Sequence, residues 1–545
     1  MQRRGFLVGA GLAGAAVFAA TRMRGVDKVA PEIHFPGMHD GHALRDAHTF
    51  PAPRAHLRTG VAILGSGVAG MACAWALARA GRRDFVVLQG PEYGGNAAAA
   101  NLGGRGDDTL DCPLGAHYLP LPSSESAHMM SLLADLELLE RGPDGIAPRF
   151  DEAALTHAPH ERLLRNGRWE ADLLPSHGVP AAQLEQQHRF LAQMASLRTQ
   201  RGRDGRRVFA LPVALSSMDE AWRALDRESF AHWLDRNGYD APNLRWYLDY
   251  CCRDDYGAGT REVSAWAGLH YFASRDGHAS NASGDTVLTW PGGLSELIAR
   301  MRTSITRRLG HDRWLQRGFA SQVRDRAGDV VVLGARREGA QIATFSLTAG
   351  QVVSAMPLHV LARIWPGLKD TGYDPATHAS PHAAWLVSNF LMQGWPSELP
   401  GEGLAWDNVV HRGRSLGYVV STHQLLRVAP TARTVFTAYQ SLDRMTPKQA
   451  RGWLTRATAD ELRAEAASDL QQAYGDELWR RTRRLSITVR GHAMAIPAPG
   501  FLHNAGLLSL RGLDGRVRVA HSDLSGYSVF EEAAWWGIRA AEQLA

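Results

Sequence analysis

Three glycines, Gly65, Gly67 and Gly70, follow the apolar residues Val61-Ala62-Ile63-Leu64 at G-x-G-x-x-G spacing, and an alanine-rich run from 71 to 80 ends at Gly81. The pattern reads strand, tight turn, helix. Each glycine has its own task in a nucleotide-binding turn: Gly65 permits the sharp bend, Gly67 lets backbone approach a pyrophosphate, and Gly70 lets the helix pack close to the strand. The helix start then offers unpaired N–H groups and a partial positive charge to phosphate oxygens. A second apolar run, Phe85-Val86-Val87-Leu88, reads as the next strand. Dinucleotide binding is the chemistry this spacing serves. The residue ending the second strand is Gln89, where Asp or Glu is expected. Its amide oxygen can accept from a ribose hydroxyl, but without the charge that strengthens a carboxylate's hydrogen bond.

The elements that must position this turn extend well beyond it. At 545 residues the chain is long enough for two or three domains. Its 45% hydrophobic content is ordinary for a globular protein. Net charge is +5, and all but three of the 60 basic residues (Lys28, Lys369 and Lys448) are arginine. Acidic residues are nearly as numerous and well mixed, with no dense basic run, so no nucleic-acid partner is expected. Cys73, Cys112, Cys251 and Cys252 form neither a metal-ligand spacing nor a disulfide framework, and the adjacent pair reads as two partly buried thiols. Residues 22–56 lack periodicity, are rich in Pro, Gly and His, and read as a linker or surface arm. Their histidines (His34, His39, His42, His48, His56) share no ligand spacing, and no metal is expected.

From 125 to 285, aromatic residues and leucines at helical spacing (229–237, 244–250) predict a largely helical insertion, and Arg165-Asn166-Gly167-Arg168 predicts a hairpin turn. Strands are expected at 319–324, 330–333, 342–347, 385–391, 417–421, 435–439 and 516–520. One long helix should open at the capping box Thr458-x-x-Glu461 and end at Gly475.

Five further blocks follow in order: Gly94-Gly95-Asn96, Gly115-Ala116-His117, Pro291-Gly292-Gly293, Ala355-Met356-Pro357, and Ser522-Asp523 with Gly537-Ile538-Arg539-Ala540-Ala541. With them the chain resembles the flavin-dependent amine oxidase superfamily, which includes monoamine and polyamine oxidases, L-amino-acid oxidases and carotenoid desaturases. The resemblance implies an α/β fold: a Rossmann-like FAD-binding domain assembled from 57–124, 286–375 and 505–545. An α+β substrate domain, with a mixed or antiparallel sheet and a helical insertion, would comprise 125–285 and 376–504. It also implies noncovalent FAD, held by Gly65, Gly67, Gly70, Gln89, Gly94, Gly95, Asn96, Gly115, Ala116, His117, Ala355, Ser522, Asp523 and Phe530, with a backbone contact to adenine near Val323.

The chain departs from the family in places. Asn96 stands where arginine is usual, removing one phosphate cation, and His521 replaces a glycine. Amine-oxidising members commonly place a lysine near the flavin; here Arg363 is the nearest basic residue and no lysine is close. Tyr527 would supply one aromatic wall, while the other position falls among Ala493, Met494, Ala495 and Ile496. No cysteine lies there for a covalent flavin bond. The catalytic candidates are therefore Tyr527, His117 and Arg363. The implied activity is hydride removal from a small-molecule substrate, an amine or amino acid first. Alternatives are a desaturase-type flavoenzyme, a noncatalytic FAD-binding accessory protein and an NAD(P)-linked dehydrogenase. Finally, Arg3-Arg4 with Phe6-Leu7 and the apolar run 8–20 resembles a twin-arginine export signal over 1–21. That implies the twin-arginine machinery as partner and a periplasmic location. With Phe18 two places before Ala20 no clean cleavage site stands there; cleavage near Ala20 is still expected, with an uncleaved membrane anchor left open.

Overall fold

The computed structural model describes residues 28–46, 49–103, 110–141, 147–284, 286–339, 341–425 and 431–544. The expected signal segment 1–21 lies outside them.

Val61, Ala62, Ile63 and Leu64 are fully buried, as an apolar strand with parallel neighbours on both sides must be. They close the longer strand Ala55–Leu64, which pairs in parallel with Phe85–Leu88 and with Gln341–Ser354. Leu315–Gln316 adds a parallel edge beyond Phe85–Leu88. Val517–Val519 returns from near the C-terminus to pair in parallel with Gln341–Ser354. The antiparallel strands Phe319–Asp325 and Val330–Glu338 complete a seven-stranded sheet. The helices Val68–Arg79, Ser295–Leu309 and Phe530–Glu542 pack on it in one core. This is a Rossmann-like α/β layer assembled from distant stretches of chain.

A second, eight-stranded mixed sheet takes its strands from Pro31–His34, Glu161–Arg165, Arg168–Ala171, His382–Gln393, Asp407–Val410, Tyr418–Val420, Arg433–Ser441 and Thr482–Ala495. Both its faces are covered, and strand alternation decides what each covers. Along His382–Gln393, Trp385 and Val387 join the core of the helical insertion, which includes Pro242–Tyr256 and Ala265–Ala273. Leu386 and Phe390 face the opposite core, under the helices Ala459–Ala466 and Ser468–Tyr474. Asn166 and Gly167 both take positive φ (53° and 75°), forming the expected two-residue hairpin turn between Arg165 and Arg168.

Several expectations change. The 22–56 arm is not featureless: Pro31–His34 adds a parallel strand beside Thr482–Ala495, Met38–Arg45 is a helix, and Ala55 already belongs to the strand Ala55–Leu64 of the seven-stranded sheet. Tertiary pairing supplies the order that local periodicity lacks. The capping box at Thr458 and Glu461 forms, but the helix breaks at Ala467 into two short ones, the second ending at Gly475. All four cysteines are free and buried. Among the described residues, no helix is long and apolar enough to cross a membrane.

The two terminal helices of the Rossmann layer meet without a spacer. A side chain on Gly537 would overlap the carbonyl oxygen of Ala69. Gly537→Ala should therefore cost about 1–3 kcal/mol through overpacking, read as a lower midpoint in urea melts. Gly512→Ala, with nothing within 4 Å of the added methyl, should change little.

Candidate active site

At the glycine turn, a side chain on Gly70 would overlap the Gly65 carbonyl oxygen, and Gly65 holds φ at 116° with the Ala355 carbonyl 2.9 Å from where its Cβ would stand. The chain's own packing demands glycine at both. Gly67 differs. A Cβ there would approach nothing nearer than the Gly94 carbonyl, 4.0 Å away. This open ground lies at the N-cap of Val68–Arg79, where no side chain caps the first turn. It is the room a pyrophosphate needs, with backbone N–H groups as donors. Gly94 and Gly95, at φ 82° and 57°, wall its other side, Gly94 bridging Gly67. The Ser66 hydroxyl donates to the Gln89 carbonyl (2.7 Å) and accepts from the Gly94 N–H (3.4 Å), locking the two turns together.

Gln89 is half-buried at the end of its strand, its N–H donating to Gln316. The backbone beside the next residue is Gly318, which bridges Gly90. Val323, near which a backbone contact to adenine is expected, has its side chain buried in the core with Val332 and Leu347. The chain leaves the parallel edge after Gln316 and turns into the antiparallel pair Phe319–Asp325 and Val330–Glu338. Ala355 donates to the Leu64 carbonyl at 3.0 Å and closes the turn at Gly65. Asp523 also departs from expectation. Its carboxylate accepts from the Leu358 N–H (2.9 Å) and pairs with His382 (3.0 Å) and His521 (3.3 Å), so it is spent inside the protein. Burial alone would raise its pKa, but the two histidines hold it well below the usual carboxylate range. Ser522, beside it, is buried too.

Beyond Asn96 a cavity of about 140 Å³ opens between the two sheets. Asn96, Gly115, Ala116, His117 and Phe530 all border it, as expected. A side chain on Gly115 would overlap the Asn96 carbonyl oxygen, which also accepts from Ala116 at 2.7 Å. The Asn96 amide donates to the Ala493 carbonyl at 2.8 Å, tying this turn to the second sheet. His117 stacks on Tyr439 with ring centres 4.3 Å apart, and burial lowers its pKa to about 3, so the imidazole is neutral. Trp385 and Tyr439 form an aromatic wall. Neither position was singled out from sequence, because only sheet register brings 385 and 439 to His117.

Charge enters from the helix Pro242–Tyr256 and the last helix. Asp254, Asp255 and Glu531 border the cavity with Arg275 and Arg490. One terminal nitrogen of Arg275 donates to both Asp255 oxygens (2.7 and 2.8 Å) and two of Arg490 donate to Glu92 (2.9 and 3.2 Å), so both guanidinium groups are already paired. Asp254 accepts from the Tyr118 hydroxyl at 3.0 Å, and neither it nor Glu531 has an ion-pair partner within 4 Å among the described residues. Burial, then neighbouring Asp255, raises Asp254 to about 6; burial raises Glu531 to about 7. The adjacent acids at 254 and 255, amid helical aromatics, were the one sequence signal for this feature.

Two catalytic candidates lie elsewhere. Arg363 is exposed on the helix Leu358–Ile364, whose buried face is Leu358, Leu361 and Ile364. Tyr527 is 1% exposed and absent from the cavity wall. Gly526, at φ 67°, turns the chain so that Tyr527 enters the helical core, where its hydroxyl meets Tyr256 and His270 Nδ1 (2.8 Å). Ser528, Val529, Phe530 and Glu531 line the cavity in its place.

A family model described as an NAD(P)-binding Rossmann-like domain matches residues 63–136. No curated protein sequence matches the chain. Among solved structures, putrescine oxidase bound to putrescine is 16% identical over 90% of this chain and 99% of its own, with a TM-score of 0.59. Cyclohexylamine oxidase from Brevibacterium oxydans IH-35A is 17% identical, covering 89% and 98%, with a TM-score of 0.59. A CLA-producing fatty acid isomerase from P. acnes is 14% identical, covering 89% and 98%, with a TM-score of 0.56. The chain shares the fold of these proteins.

Because Tyr527 is a core hydrogen-bonding residue, Tyr527→Phe should leave His270 Nδ1 without its donor. The expected cost is about 1–3 kcal/mol in denaturant melts, with ligand uptake in the cavity unchanged.

Proposed function

We propose that the chain is an FAD-dependent, amine oxidase-like oxidoreductase that removes hydride from a small amine. The observation carrying this reading is a pair of features joined by one turn: open backbone at Gly67 beside Gly94, and a cavity bordered by Asn96 of the same turn, where Asp254 and Glu531 have no paired cation among the described residues. The residues fit a dinucleotide, since Gly67 is the glycine that the chain's own packing does not require. FAD, when bound, supplies the acceptor for a hydride. The chain does the rest. Asp254 and Glu531 attract an ammonium group, and Trp385, Tyr439 and Phe530 cover its carbon skeleton and exclude water. Neutral His117 adds ring surface and hydrogen-bonding capacity without repelling a cation. An amine fits better than an amino acid, whose carboxylate would need a guanidinium that Asp255 or Glu92 now holds.

Purified protein should be yellow and release free flavin on denaturation; colourless protein after incubation with excess FAD rules the cofactor out. Gly67→Val should abolish flavin uptake, since φ at 67 is −67° and a side chain fits the apoprotein. The raised carboxyl pKa values give a pH signature. As pH climbs through about 6 for Asp254 and about 7 for Glu531, each becomes an anion able to hold the ammonium. The acidic limb of kcat/KM should therefore rise across that window. Asp254→Asn or Glu531→Gln should remove its own step and lower kcat/KM about tenfold at pH 8, roughly 1.4 kcal/mol. Amine oxidation with an unaltered limb in both variants would count against ammonium recognition here.

Export of the folded holoprotein by the twin-arginine route is proposed from residues 3–20 alone, with or without an uncleaved membrane anchor. Changing Arg3 and Arg4 together to lysine should retain the protein in the cytoplasm, as fractionation and immunoblotting would show.

A further inference from the structure

The turn Gly94-Gly95-Asn96 lacks a cation of its own, yet a guanidinium reaches it from the other sheet. Arg490 sits on Thr482–Ala495 where pairing with His382–Gln393 slips: Ala383 faces Met494, whereas Trp385 faces Arg490. Two residues on one strand thus span four on the other, a bulge that re-aims side chains at the cavity. The Arg490 Nε donates to the Leu114 carbonyl at 2.6 Å, and its terminal nitrogens donate to Asn96 Oδ1 (3.3 Å), the Gly95 carbonyl (3.5 Å) and Glu92. Its side chain is 9% exposed and borders the cavity beside Asn96, Gly115 and Met494, whereas Glu92 is not on the cavity wall.

We propose that Arg490 is a positioning residue, supplied across the domain seam, whose charge raises the reduction potential of the bound flavin, with Glu92 partly offsetting it. This rests on the FAD reading above. Reduction adds negative charge to the flavin, so a nearby cation favours the reduced form and a nearby anion disfavours it. Arg490 borders the cavity and Glu92 does not, so the guanidinium is the charge presented to the cavity. A purely structural latch behaves differently: cutting either end breaks the same pair and moves the cofactor the same way.

The test is the midpoint potential of the holoenzyme, measured by dye-coupled reduction, for the wild type, Arg490→Met, Arg490→Lys and Glu92→Gln. Arg490→Met should lower the reduced-to-oxidised ratio at fixed potential about tenfold, roughly 30 mV for a two-electron couple. Glu92→Gln should shift it the opposite way, and Arg490→Lys should keep most of the wild-type value despite losing the fork. Should Arg490→Met not fold, an upward shift in Glu92→Gln with retention in Arg490→Lys supports the same conclusion. Shifts of one sign at both ends of the pair, or no shift at either, overturn it while leaving the cofactor reading intact. Wild-type protein that takes up no flavin overturns the cofactor reading, and this inference with it.

Discussion

The close approach of the helix Val68–Arg79 to its own strand is the constraint on which the rest depends. At Gly70 the helix backbone rests on the carbonyl of Gly65, and at Ala69 it rests on Gly537 of the last helix. Neither contact tolerates a side chain. Together they fix the first helix between the glycine turn and the C-terminal helix. That second contact matters beyond packing, because the C-terminal helix begins with Phe530 and Glu531, which form part of the cavity wall. Residues at opposite ends of the chain are thus held at one site by two glycines.

The cavity lies at the seam between the two sheets, and ties across that seam decide its shape. Asn96 bonds to Ala493, Tyr439 donates to Gly115 at 3.1 Å, and Arg490 reaches Leu114. Asp523 and His382 form a buried ion pair between the two layers. Each tie satisfies a polar group that would otherwise be costly to bury. The resulting wall combines aromatic surface from the second sheet with backbone from the first. Its two arginines each pair with a carboxylate, Asp255 and Glu92, whereas Asp254 and Glu531 have no such partner among the described residues.

Much of this was legible from residue types. The glycine spacing, the apolar strands beside it, the Asn-Gly hairpin and the Thr-Glu capping box are local rules, and each concerns atoms within a few residues of one another. Gly65, Gly67 and Gly70 could be assigned distinct roles because backbone geometry alone distinguishes them. The α/β architecture and the discontinuous Rossmann-like layer were implied by the family resemblance that the ordered sequence blocks carry.

Where sequence spacing had to stand in for three-dimensional position, it failed. Arg363 and Tyr527 have suitable chemistry, but a helix turns the first to solvent and Gly526 sends the second into the core. Asp523 has a fitting charge, yet two histidines from separate elements claim it. Conversely, Trp385, Tyr439, Asp254 and Arg490 carry no motif; strand register, one bulge and helix packing bring them to His117 and Asn96. The sequence by itself determined the nucleotide-binding turn, because that geometry is made by neighbouring backbone. Only the tertiary structure decided which side chains face the cavity and with what charge, because burial and pairing depend on residues hundreds of positions apart.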